Sequence, residues 1–73
     1  MKHYIATATV NNNEVKLVKE DKGYFVYWGV PLGTQQSKTE LLTPSGRVPS
    51  QSSAYKKFLQ LVKAAQYLKF EKL

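Results

Sequence analysis

Apolar and polar residues alternate from His3 to Val10, with Tyr4, Ala6, Ala8 and Val10 on one side of the period and Ile5, Thr7 and Thr9 on the other. A period of two predicts a strand, because successive side chains of an extended backbone point to opposite faces. Asn11-Asn12-Asn13 follows as a tight turn, since asparagine tolerates left-handed backbone better than other residues that carry a Cβ. From Glu14 to Glu20 the alternation resumes, with Val15 and Leu17 opposed to Lys16 and Val18. Glu20-Asp21-Lys22-Gly23 has the chemistry of a short hairpin loop, with glycine where a positive φ is needed.

The third run, Gly23 to Val30, is aromatic and β-branched and holds the only tryptophan, Trp28. Tyr24, Val26, Trp28 and Val30 share one side; Phe25 and Tyr27 share the other. Both sides are apolar enough to bury, which suits an interior strand better than an edge. Strands at about 3–10, 14–20 and 23–30 therefore form an antiparallel meander.

Pro31 and Gly33 end that pattern, and residues 31–51 read as a long connection rich in Ser, Thr, Gln, Pro and Gly. A short strand or helical turn near Thr39 to Thr43 and a turn at Thr43-Pro44-Ser45-Gly46 are its only local features. After Pro49 the period changes. Ser50, Ser52 and Ser53 are candidate N-caps, and Phe58, Leu61, Val62, Ala65 and Leu68 recur at helical spacing, predicting a helix at about 53–69. Lys56, Gln60 and Lys63 project away from that stripe, and Lys56 and Lys57 oppose the helix dipole in the expected first turn, which points to another role for them.

The predicted fold class is α+β: a three-stranded meander, a long loop and one C-terminal helix on one sheet face, in a single small domain spanning 1–73. Such a chain of 73 residues lies near the lower size at which one core stands alone, and its 42% hydrophobic content favours a folded chain over a disordered one. No cysteine is present to add a disulfide or a thiolate metal site. The alternation from Tyr4 to Val10 is unlike the apolar run of a secretory signal, and no stretch is long enough to span a membrane, so a soluble cytoplasmic protein is expected. The outline is similar to that of the arm-binding domains of tyrosine recombinases, which read DNA with the sheet. Their strand-to-helix connection is much shorter than the stretch from Thr34 to Gln51, and no residue carries over.

The net charge of +6 is unevenly spread. Residues 1–22 contribute +1, residues 23–37 nothing and residues 38–50 another +1, whereas residues 51–73 contribute +4. That asymmetry points to an anionic partner. Catalytic chemistry finds little support: His3 stands alone near the start of the first strand, and the carboxylates form no pair at metal-ligand spacing. Gly29 and Gly33 lack the Lys-Ser/Thr of a phosphate loop and read as the end of a strand around Pro31. No enzyme, metal or cofactor is expected.

Two surfaces remain as candidates. If Tyr24, Val26 and Trp28 face the helix, Phe25 and Tyr27 lie on the opposite face with Ile5, Thr7, Thr9, Lys16 and Val18, an aromatic and basic surface of the kind that stacks bases. The long connection, through Leu32, Leu41 and Leu42, is an alternative cover for that face. The second surface is basic: Arg47 with Lys56, Lys57 and Lys63 is suited to phosphate contacts, against the commoner reading of a solvated lysine face. The expected function is a small basic module that associates with nucleic acid. The alternative is a protein-binding adaptor or inhibitor of phage or mobile-element type, taking an acidic protein partner through the aromatic face or the long loop, with a homodimer as a variant.

Overall fold

The computed structural model describes residues 2–10, 12–29, 36–64 and 69–72. Three strands form the expected meander: β1, His3–Val10; β2, Asn13–Glu20; and β3, Gly23–Gly29. Asn12, at φ 67°, supplies the left-handed step of the first hairpin, and β1 and β2 are already paired at Val10 and Asn13. Asp21 and Lys22 close the second hairpin beyond the Glu20–Gly23 pair.

The sheet does not stop there. Within the stretch read as a loop over 31–51, Gln36–Leu41 forms β4, antiparallel to β3 from the Tyr24–Leu41 pair to the Gly29–Gln36 pair. The expectation of three strands is corrected accordingly: β3 lies between β2 and β4 as an interior strand. Polar composition hid β4. Lys38, Thr39 and Glu40 are exposed, and an edge strand held by backbone pairing needs no apolar alternation; charge on it also discourages further pairing. A short fifth strand, β5, Lys69–Lys72, pairs with the other side of β1, giving the order β4-β3-β2-β1-β5.

Helix α1 spans Gln51–Ala64, starting earlier than the expected 53. Ser50 is the N-cap: its Oγ accepts from the Ser53 amide at 3.3 Å and its carbonyl from the Ala54 amide at 2.9 Å. The expected continuation to 69 is corrected at its end, because Lys69 belongs to β5, while Ala65 and Leu68 lie outside the described residues, as do Val30, Leu32 and Gly33. The buried line of the helix is Ala54, Phe58 and Val62, each without exposure, and Tyr55 packs beside it. Leu61 is not part of that line; it is 44% exposed.

The core is the layer between the helix and one sheet face. Ala6, Ala8 and Val10 of β1, Val15 and Leu17 of β2, Tyr24 and Val26 of β3 and Leu41 of β4 are buried there, with Trp28 packed against them. A β-bulge between Tyr4 and Ala6 breaks the alternation of β1: Tyr4 pairs with Val18 and Ala6 with Leu17, leaving Ile5 as the extra residue. Ile5 therefore joins the core instead of the opposite face where strict alternation places it, and Tyr4 takes the outer position.

Between β4 and α1 the chain makes the expected turn at Thr43. The Gly46 amide donates to the Thr43 carbonyl at 2.8 Å, the Thr43 amide to the Arg47 carbonyl at 2.8 Å and the Arg47 amide to Thr43 Oγ1 at 3.0 Å. Past this turn Val48 reaches Gly23, which has φ +149°. A Cβ at Gly23 would lie at ordinary contact distance from Val48, so the cost of a side chain there is conformational. Gly23→Ala is expected to lose about 1–3 kcal/mol of stability, the range for a residue held in a sparsely populated backbone region. Urea denaturation checks this; an unchanged midpoint would show that the hairpin relaxes freely.

Candidate functional site: two surfaces divided by the sheet

The register assigns every strand residue to a face. Opposite the helix, one row runs Thr7, Lys16, Tyr27, Lys38 and the next runs Tyr4, Val18, Phe25, Glu40. Phe25, Tyr27, Thr7, Thr9, Lys16 and Val18 thus lie on this open face as the sequence pattern predicts, with Tyr4 in the place assigned to Ile5. Of the residues expected to form the alternative cover, Leu41 is in the helix-side core, Leu42 is 39% exposed and Leu32 lies outside the described residues. The face is nevertheless well packed: Val18, in its centre between Tyr4 and Phe25, has no exposure.

Its charges are engaged with one another. Glu20 accepts from the Tyr27 hydroxyl and from Lys38 Nζ at 3.0 Å, so that one carboxylate joins β2, β3 and β4. Lys38 Nζ also lies 4.3 Å from the Phe25 ring centre, Lys16 Nζ is 5.4 Å from that of Tyr4, and Lys2 Nζ is 4.9 Å from that of Tyr27. Lys16 is paired with Glu14 at 2.7 Å. Lys2, Lys16 and Lys38 are matched in number by Glu14, Glu20 and Glu40, so the open face is close to neutral in a strongly basic protein.

The hydrogen bonds from Tyr27 and then Lys38 hold the Glu20 carboxyl below the usual carboxylate range, and the bond to Glu20 holds Lys38 above the usual lysine range. The stability from Glu20 is therefore present above its unfolded pKa of about 4.3 and lost as pH falls through the lowered folded value. That from Lys38 is present below its unfolded pKa of about 10.4 and lost as pH rises through the raised folded value. Thermal melts over an acid pH series are expected to show Glu20→Gln less stable than wild type at neutral pH and less sensitive to acid. Parallel pH profiles for the two proteins would contradict this linkage.

The second surface lies across the sheet. Lys56 and Lys63 are exposed on α1 and make no ion pair among the described residues. Seven residues apart, they lie on one stripe of the helix roughly 10 Å from each other along its axis. Lys57 differs, because its Nζ donates to the Leu42 carbonyl and ties the helix to the connection from β4. Since α1 begins at Gln51, Lys56 and Lys57 sit in its second turn, where the dipole acts weakly; the expectation of a first-turn conflict is corrected. Arg47 is exposed at the end of the turn before the helix.

The expected site residues are thus divided. Lys16, Phe25 and Tyr27 share the open face, Lys56, Lys57 and Lys63 lie on the helix layer, and Arg47 lies on the connection. Tyr4, Glu20, Lys38 and Glu40 were not among them. The bulge displaced Tyr4, and of β4 only Thr39 to Leu41 fell within the short strand or turn expected near Thr39 to Thr43.

Grooves lined by Lys2, Glu20, Asp21, Lys22, Phe25 and Lys38 and by Ile5, Gln51, Ser52 and Tyr55 are partly open to solvent. Among the described residues no group of three or more His, Cys, Asp or Glu side chains is placed to hold a metal ion, and no described helix is long and apolar enough to cross a membrane. Searches of protein-family models, curated proteins and solved structures return no match to this chain.

Proposed function

We propose that this protein is a small non-enzymatic module that binds the phosphate backbone of nucleic acid through its helix layer. The observation that carries the reading is the segregation of charge. No carboxylate occurs between Glu40 and Glu71, while Arg47, Lys56 and Lys63 in that interval are exposed. Phosphate contacts made by such side chains release counterions and carry no base specificity. Base stacking on the open face is disfavoured by the same physics: Glu14, Glu20 and Glu40 would meet the phosphates, and Lys16 and Lys38 are already paired with carboxylates.

The test is a fluorescence-anisotropy titration with labelled single- and double-stranded DNA and RNA of mixed sequence at a series of salt concentrations. The expected result is binding that tolerates changes of sequence and weakens steeply with salt, with a log–log slope of about −0.9 per duplex phosphate neutralised. Comparing the arms distinguishes DNA from RNA. Absence of binding at low salt would remove the reading.

A further inference from the structure

We propose that the open sheet face is a self-association surface, pairing two copies of this chain with their helices outward. Net charge decides where two copies can meet. At +6, they repel one another over most of their surface, and approach is least costly where local charge cancels. The open face meets that condition, with Lys2, Lys16 and Lys38 set among Glu14, Glu20 and Glu40. A surface whose charges are balanced within each copy can meet itself under a two-fold axis without net repulsion, and a change that unbalances it restores that repulsion.

Its apolar content fits the same occupant. Tyr4 is 48% exposed, and Phe25 and Tyr27 are half-buried beside it, while tyrosine and phenylalanine are enriched where proteins meet. Strands of up to eight residues in a five-stranded sheet give this face roughly 25 by 20 Å, about 500 Å² at about 3.3 Å per residue and about 4.8 Å between strands, an area towards the small end of specific interfaces. Two-fold pairing also relieves the small-core problem of so short a chain. It leaves Lys56 and Lys63 on both outer surfaces, and it is independent of whether they bind nucleic acid.

Sedimentation equilibrium of the full chain without nucleic acid tests the proposal. The expected apparent mass rises with concentration from the 8.3 kDa of one chain towards twice that value. Tyr4→Asp, at an exposed position, is expected to keep the wild-type circular dichroism and lose the heavier species. Lys16→Glu and Glu14→Lys are each expected to weaken pairing, and an equimolar mixture of the two to recover it, which simple misfolding does not predict. A Lys56→Glu, Lys63→Glu variant, whose net charge falls from +6 to +2, is expected to pair at least as well as wild type, and weaker pairing would overturn the proposal. A mass that stays at one chain at every attainable concentration overturns the proposal, leaving the face to a partner of different sequence; so does undiminished pairing of Tyr4→Asp.

Discussion

Replacing Phe58 by alanine is expected to destabilise the protein by about 3–5 kcal/mol, the cost of truncating a fully buried aromatic side chain. Phe58 has no exposure and is the largest of the fully buried side chains among the described residues. It lies at the middle of the Ala54, Phe58, Val62 line by which α1 covers the sheet. A domain of this size has a total stability of roughly 4–11 kcal/mol, so the variant loses much or most of it. Leu61, one turn away and 44% exposed, is the internal control. Leu61→Ala is expected to cost less than about 1 kcal/mol, because little apolar area returns to water. Urea unfolding followed by Trp28 fluorescence compares the two. Equal losses would mean that the helix packs through a broader stripe than Ala54, Phe58 and Val62.

Reversing charge at Lys56 and Lys63 together is expected to lower affinity for nucleic acid by about tenfold at moderate salt for each phosphate no longer neutralised, hence about a hundredfold in the double variant, and to flatten the salt dependence. Both residues are exposed, so the fold should survive the change. Lys57→Glu separates binding from structure. Its ammonium holds the Leu42 carbonyl, and its loss should appear first as reduced stability. Lys16→Glu, on the far side of the sheet and already paired with Glu14, is expected to change affinity little. Anisotropy titrations of the variants check these outcomes, and a loss at Lys16 equal to that at Lys56 would point to the open face instead.

Much of this arrangement is legible in the residues themselves. The meander follows from three alternating runs and two turns whose chemistry, Asn12 and Gly23 above all, matches the positive φ angles found there. Phe58 and Val62 follow from helical spacing, whereas the pattern after Pro49 leaves Ser50, Ser52 and Ser53 as N-caps, of which the structure uses Ser50. What escaped has identifiable causes. β4 is made by backbone pairing to β3, with Leu41 as its buried anchor, and such a strand leaves almost no side-chain period to read. The bulge at Ile5 falls inside Tyr4-Ile5-Ala6, where every residue is compatible with either face, so alternation cannot reveal the slip. β5 escaped because Lys69 also suits the last turn of a helix, and its strand state comes from pairing with β1.

The same misreadings obscured the site. With Lys38 and Glu40 outside the expected sheet and Glu14 and Glu20 not counted on its face, Lys16 was the one charge placed beside Phe25 and Tyr27, and the sheet face read as basic. Placing β4 beside β3 brings Lys38 and Glu40 onto that face, where Lys38 is bound to Glu20. Four of the six excess positive charges, those of Arg47, Lys56, Lys57 and Lys63, then lie on the helix layer and the connection before it.

The sheet divides the molecule into a cationic helix layer and a nearly neutral aromatic face, and the first is the surface proposed to meet nucleic acid. An amide NMR titration with a short mixed-sequence oligonucleotide separates the two surfaces, since every non-proline residue reports individually. Shifts are expected to concentrate around Arg47, Lys56, Gln60 and Lys63, with Phe25, Tyr27 and Lys38 left in place. Shifts concentrated at Tyr4, Phe25, Tyr27 and Lys38, with the helix unchanged, would contradict that proposal.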